Sequence, residues 1–171
     1  MISHEKLLQL VTYNPETGIF TANTDLSDKI KTGHVLGCSK TTYGYIKIGL
    51  CGKHYEAHRL AWFYITREWP DLLDHIDTNR TNNRFSNLRI ATKAQNGMNA
   101  RIRKDNTTGV KGIVWEERCN GFQARIAIGR KSTTKRFSVN KFDSKEAALS
   151  AAQDWVRTTR EKLHGEFTNH G

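Results

Sequence analysis

An aspartate and a histidine stand side by side at Asp74 and His75. A tract of asparagines and basic residues follows and runs through Asn87 to Asn96, in LLDHIDTNRTNNRFSNLRIATKAQN, residues 72–96. An imidazole can take a proton from water near neutral pH. A carboxylate beside it offers oxygen to a hard divalent cation, which neutralises charge developing on a leaving oxygen. A base, a cation and an amide to fix the imidazole ring are what phosphodiester hydrolysis requires. On a regular strand, successive side chains point to opposite faces, so Asp74 and His75 reach one phosphate only if the backbone there is distorted. Asn79, Asn82 and Asn83 read as turn-formers, a common use of asparagine. Asp77 either supports a cation indirectly or only shapes the loop. His58 reads as a packed or solvated side chain, with a phosphate contact as the alternative.

The elements that must hold these groups are short. Leu7, Leu8, Leu10 and Val11 fit one face of a brief helix, and NPETG at Asn14–Gly18 is a turn. The alternation in YGYIKIGLCGKHYEAH predicts a hairpin around Gly49–Gly52. HRLAWFYITREWPDLL predicts an apolar helix stopped by Pro70, because the residue before proline is pushed out of the α region. A second helix is expected from about Ser86, ending near Gly97. RIRKDNTTG (101–109) is nearly devoid of apolar residues and reads as a linker. VKGIVWEE, GFQARIAIG and KRFSVN then alternate with period two, predicting a three-stranded antiparallel sheet. FDSKEAALSAAQDWVRTTREKL predicts a helix capped by an Asp143–Glu146 box and ended by Gly165, with Trp155 and the alanines facing the sheet.

The 171 residues suffice for one ordinary domain or two small ones. Net charge is +10, and its excess is local: between Thr78 and Arg136 there are fourteen Lys and Arg against three Asp and Glu. Such a surplus suits a polyanion, because neutralised phosphates release condensed counterions. No apolar run approaches the about 20 residues that cross a membrane, so no membrane partner is expected. The charged N-terminus is not a signal peptide. A cytoplasmic location in a bacterial or phage-infected cell is expected, with Cys38, Cys51 and Cys119 as buried free thiols. The lack of a CxxC pair argues against a zinc knuckle.

AHRLAW followed by DHI-D-x-N-x-x-NN-x-x-SNLR-x-AT-x-x-QN resembles the HNH endonuclease motif, the ββα-metal fold of phage and intron-encoded homing endonucleases. The resemblance spans about residues 58–100. It implies that His75 is the general base, that Asp74 and Asn96 hold one Mg²⁺ or Mn²⁺, and that Asn87 holds the loop and orients His75. Many relatives have His where this chain has Asn96. Arg59 and Arg84 are candidate phosphate contacts.

NTTGVKGIVW, GFQARIAI and FDSKEAA resemble the Apetala-type (ethylene-response-factor) DNA-binding domain, whose sheet enters the major groove. By that resemblance Lys111, Arg125 and Arg136 are basic contacts, and Trp115, Arg118 and Gln123 are further candidates. Val114 and Glu116 stand where plant members carry arginines, so base preference does not transfer. The expected architecture is α+β: a nuclease domain over 1–105, then a sheet packed on one helix over 106–171. The expected activity is site-directed cleavage of double-stranded DNA. A DNA-binding regulator without catalysis is the alternative, and the residues leave open whether the protein is a monomer or a homodimer.

Overall fold

Ser3 opens the first element by accepting the backbone N–H of Lys6, which caps α1 (His4–Leu10). Leu7 and Leu10 bury their side chains, but Leu8 is exposed and Val11 already belongs to β1 (Val11–Asn14). The four therefore do not form one helical face. β1 pairs antiparallel with β2 (Ile19–Ala22), which pairs with β3 (Val35–Leu36). The NPETG turn joins β1 and β2 as expected. A second antiparallel sheet contains β4 (Ser39–Lys40), β5 (Ile46–Leu50) and β6 (Lys53–Glu56). The expected hairpin turns at Cys51 and Gly52, with φ of 51° and 71°, the positive pair that suits the twist of two antiparallel strands.

α2 (Ala57–Thr66) follows at once and seats Ala57, Leu60, Ala61 and Phe63 in a core with Leu7, Val11, Tyr13, Phe20, Ile48, Leu50 and Leu88. It stops well before Pro70: Arg67 takes a left-handed conformation and its N–H bonds the Phe63 carbonyl. β7 (Leu73–His75) then pairs antiparallel with β8 (Leu88–Ile90). Here the expectation of a helix from Ser86 fails. A 3₁₀ turn over Phe85–Asn87 leads into strand, because β7 supplies the hydrogen-bonding edge for Leu88–Ile90. Helix α3 (Lys93–Asn99) begins only at Thr92, through a reciprocal capping box with Gln95.

The structure is a computed structural model that describes residues 1–128 and 131–164; Gly165, the expected helix stop, lies outside these. Two compact units are present, Met1–Ala91 and Thr92–Gly171. In the second, β9 (Ile113–Glu116), β10 (Gly121–Ile128) and β11 (Lys131–Ser138) form an antiparallel sheet with β10 central. α4 (Lys145–His164) places Ala148, Ala152 and Val156 in a core with Ile113, Phe122, Ala124, Ile126 and Phe137. Trp155 packs against that core. The α4 cap is Ser144, whose hydroxyl accepts the Ala147 N–H, rather than the Asp143–Glu146 box. At the end of the expected linker, Thr108 is tied into this unit. Thr108 is buried and its hydroxyl donates to the Val110 and Ile113 carbonyls, while Gln153 of α4 donates to the Thr108 carbonyl. Cys38 and Cys51 are exposed rather than buried, and all three thiols are free. The chain is a mixed α+β protein with several small sheets and, among the described residues, four α-helices.

Gly18 shows how the first hairpin supports the loop that joins β7 to β8. Its φ is +76°, and an added Cβ would lie 2.5 Å from the Arg84 nitrogen and from the Asn83 carbonyl carbon. The Tyr13 hydroxyl donates to the Asn83 carbonyl at 2.7 Å, and the Phe85 N–H to the Pro15 carbonyl at 3.0 Å. Gly18→Ala is expected to cost about 2–4 kcal/mol, combining left-handed strain with overpacking against backbone. At Gly52 the φ is also positive but nothing lies within 4 Å, so Gly52→Ala should cost only about 1–2 kcal/mol. Urea denaturation of the two variants checks the difference.

Candidate active site

All three residues of β7 are buried, Asp74 at 5% exposure and His75 at 4%. A buried carboxylate needs a partner, since desolvation costs several kcal/mol per ion. Arg89, directly opposite on β8, provides it: Nε and Nη2 donate to Asp74 Oδ2 at 3.0 and 2.9 Å. His75 Nε2 lies 3.3 Å from Asn83 Oδ1. Its ring packs edge-on to His58, centroids 5.0 Å apart, and lies 5.8 Å from the Tyr45 ring. Burial pushes the His75 pKa below the usual histidine value, against the opposing hydrogen bond to Asn83 and the charges of Asp77 and Asp74. Burial thus favours the neutral ring.

The loop from Ile76 to Asn87 is closed by its own polar side chains. Asn87 Oδ1 accepts the Asp77 N–H at 3.0 Å, while its Nδ2 donates to Asp77 Oδ1 and to the Asn82 carbonyl, each at 2.9 Å. Asp77 Oδ2 accepts from Asn82 Nδ2 at 2.7 Å, and Oδ1 accepts the Asn79 N–H at 2.8 Å. Burial would raise the Asp77 pKa, but the hydrogen bonds from Asn82, Asn79 and Asn87 outweigh it and hold the carboxyl below its ordinary range. Asn87 thus closes the loop, and the amide touching the imidazole is that of Asn83, 2% exposed. Within an NN pair, nothing in the residue types distinguishes the orienting asparagine from a turn-former; burial beneath the Gly18 turn does. Arg89, Tyr45 and His58 likewise carry no signal in type or spacing that marks them as neighbours of the Asp74–His75 pair.

Asn96 lies on α3 in the second unit, half-buried. A carboxylate such as that of Asp74 is a hard oxygen donor, the type that suits a cation such as Mg²⁺, which keeps much of its water and takes one or two protein ligands. Among the described residues no group of three or more His, Cys, Asp or Glu is gathered to form a denser cage.

The candidate DNA contacts fall in different settings. Arg59 is engaged internally, donating to the Pro70 carbonyl at 2.7 Å and the Asp71 carbonyl at 3.4 Å; Arg84 is exposed. In the second unit Gln123, Arg125 and Arg136 share the face of the sheet opposite the core, where Gln123 and Arg136 are register partners. Glu116 is at the same face, its Oε2 3.3 Å from Arg136 Nε and 3.4 Å from Gln123 Nε2. Trp115 is on the core side, edge-on to Phe122. Arg118 is exposed on the 3₁₀ turn Glu117–Cys119. The Lys111 ammonium donates to the Met98 and Ala100 carbonyls at the end of α3. Burial and the nearby Arg160 charge bring its pKa down to about 8.

Residues 55–98 match the HNH endonuclease family. Protein 3.8 of Escherichia phage T7 is 33% identical over 95 residues, which cover 56% of this chain and 71% of that protein. No solved structure matches the chain.

The burial around β7 has two measurable consequences. Arg89→Met leaves the Asp74 carboxylate buried without its guanidinium and should lower stability by about 3–5 kcal/mol, read from the urea midpoint; a loss below about 1 kcal/mol would contradict the pairing. His58 is also buried, which brings its pKa down to about 3, with the His75 and Arg59 charges adding to the effect. The unfolded chain protonates this histidine near 6.5 while the folded chain does not. Stability is thus retained above about pH 6.5 and falls as pH drops from there towards 3, by at most about 1.4 kcal/mol per unit. Denaturation at about pH 7 and pH 5 should show the fall, with a shallower slope in His58→Phe.

Proposed function

The chain belongs to the HNH endonuclease family, and on that premise we propose that it is a metal-dependent endonuclease that hydrolyses phosphodiester bonds in double-stranded DNA with His75 as general base. The observation that carries this reading is the buried His75, its pKa lowered by burial, with Nε2 against the Asn83 amide oxygen and a buried carboxylate as chain neighbour. In its neutral form the imidazole would take a proton from the attacking water. Asn83 fixes the ring, and Asn87, by closing the loop on Asp77, holds Asn83 and His75 in register. A divalent cation, Mg²⁺ or else Mn²⁺, held by Asp74 and Asn96, would neutralise charge on the scissile phosphate and the leaving oxygen. The ββα-metal arrangement and the homing type are part of this proposal. So is a nuclease domain reaching to about residue 105, since the matched segment runs past Ala91 into α3.

We assign the second module, about 106–171, to DNA positioning of the Apetala type. Gln123, Arg125 and Arg136 are the contacts best supported by a shared exposed face, with Arg118 beside them. Two linked modules raise each other's effective concentration on one duplex, which suits a long site. We place the protein inside a bacterial or phage-infected cell; no described helix is long and apolar enough to cross a membrane. A regulator that binds DNA without cutting is the second reading, favoured by one observation: Arg89 already occupies Asp74 Oδ2.

Supercoiled plasmid with Mg²⁺ tests the proposal. Wild type should nick or linearise it. His75→Ala and Asp74→Asn should each lose about 10²-fold or more, and chelator should abolish cleavage. Equal cutting by wild type and His75→Ala, or none by either, would leave only the binding reading. For the second module, Arg125→Ala and Arg136→Ala should each weaken duplex binding and reduce the slope of log K against log salt by about 1. Unchanged slopes would remove that face from the interface.

A further inference from the structure

Tyr43 lies on the surface of the first unit, 73% exposed. It sits in the turn that joins β4 to β5, and that turn is closed from within. The Thr41 N–H donates to the Tyr45 carbonyl and the Gly44 N–H to the Thr41 carbonyl, each at 2.8 Å. The Tyr45 N–H donates to the Thr41 hydroxyl at 3.1 Å. A further support reaches in from the loop between β7 and β8, where Arg80 Nη1 donates to the Tyr43 carbonyl at 2.6 Å. The same guanidinium lies over the Tyr45 ring, 5.1 Å from its centroid. Tyr45 in turn borders the candidate base, its ring 5.8 Å from that of His75. The backbone under Tyr43 is therefore fixed, its side chain is left in water, and an exposed arginine is anchored beside it, all at the edge of His75.

This arrangement does little for folding. A ring so exposed recovers little of the free energy of burial, and a cation–π contact at the surface is weak. A lone exposed aromatic is ordinary. One carried on a braced turn, next to an anchored arginine and a buried imidazole, has the make-up of a nucleotide contact. A planar guanidinium pairs with phosphate oxygens, and an aromatic face stacks on a base of any identity. We propose that Arg80 and Tyr43 form a clamp for one nucleotide of the DNA beside the scissile bond: Arg80 binds its phosphate, and the Tyr43 ring packs against its sugar and base. The place of the clamp beside a scissile bond rests on the nuclease reading above. Its two halves act through different physics. Arg80 contributes by displacing counterions and so weakens with salt, whereas an uncharged ring displaces none.

Binding of the full chain to a fluorescein-labelled duplex, followed by anisotropy in EDTA across a salt series, separates the two halves without any cutting. Arg80→Gln should weaken binding and reduce the slope of log K against log salt by about 1. Tyr43→Ala should weaken binding about 5–50-fold and leave the slope unchanged. Tyr43→Phe keeps the ring and should bind within about twofold of wild type. Because position 43 is open to solvent, the urea midpoint of Tyr43→Ala should match wild type, so a loss of binding is not a loss of fold. Wild-type affinity in either Arg80→Gln or Tyr43→Ala would overturn the proposal. So would the same change of slope in both, or binding by Tyr43→Phe as weak as by Tyr43→Ala. Stronger competition by structured RNA than by duplex DNA would also overturn it, by giving the clamp another partner. Cleavage assays keep the two readings apart. If His75→Ala cut as well as wild type, the scissile bond at His75 would be lost, and the clamp's place with it. An inactive His75→Ala beside unchanged binding by Arg80→Gln and Tyr43→Ala would remove the clamp alone.

Discussion

The burial of Asp74 and His75 on a strand of three residues governs the first unit, because each polar group taken from water there needs a partner. The Asp74 carboxylate meets the Arg89 guanidinium across the ladder, and the register of β7 with β8 is what brings them opposite. Slipping the strands by one residue would turn every side chain to the other face and strand the carboxylate. The pairing that neutralises Asp74 therefore also specifies the strand alignment. His75 is handled differently: burial outweighs the pull of the Asn83 hydrogen bond and the Asp77 and Asp74 charges and favours the neutral ring.

The loop between the two strands extends the same logic. Asp77, Asn79, Asn82 and Asn87 bond one another and the local backbone, which frees the loop from needing an apolar core of its own. Its inner side is pressed by the β1–β2 turn, where Gly18 has no room for a side chain. The N-terminal hairpin, though far in sequence, is thus the support that keeps Asn83 under the imidazole. The second unit solves a simpler problem. Alternation puts Phe122, Ala124 and Ile126 against α4 and leaves Gln123 and Arg125 outside, so a charged face costs the core nothing.

Periodicity and turn chemistry made most of the architecture legible: the Gly49–Gly52 hairpin, the apolar α2, the three-stranded sheet and the long α4. It failed where two patterns compete over a few residues. Leu88–Ile90 suits a helix face as well as a strand, and only the presence of β7 as a partner decides it. α2 ends at Thr66 because Arg67 adopts a left-handed cap, an option that a search for proline overlooks. Cys51 is exposed because a tight turn claims it, although cysteine by type is most often buried.

By itself, the order of residues determined the Asp74–His75 neighbourhood and the spacing to Asn87 and Asn96. It also determined the local basic surplus and the alternation that separates an inner from an outer sheet face, since all of these are properties of types and intervals along the chain. Tertiary structure decided which asparagine meets the imidazole and that Arg89 answers Asp74. It also brought His58 and Tyr45 to flank His75 and engaged Arg59 and Lys111 with backbone carbonyls. Those outcomes depend on groups many residues apart competing for the same buried volume and the same hydrogen bonds, and such competition is settled only when the chain has closed on itself.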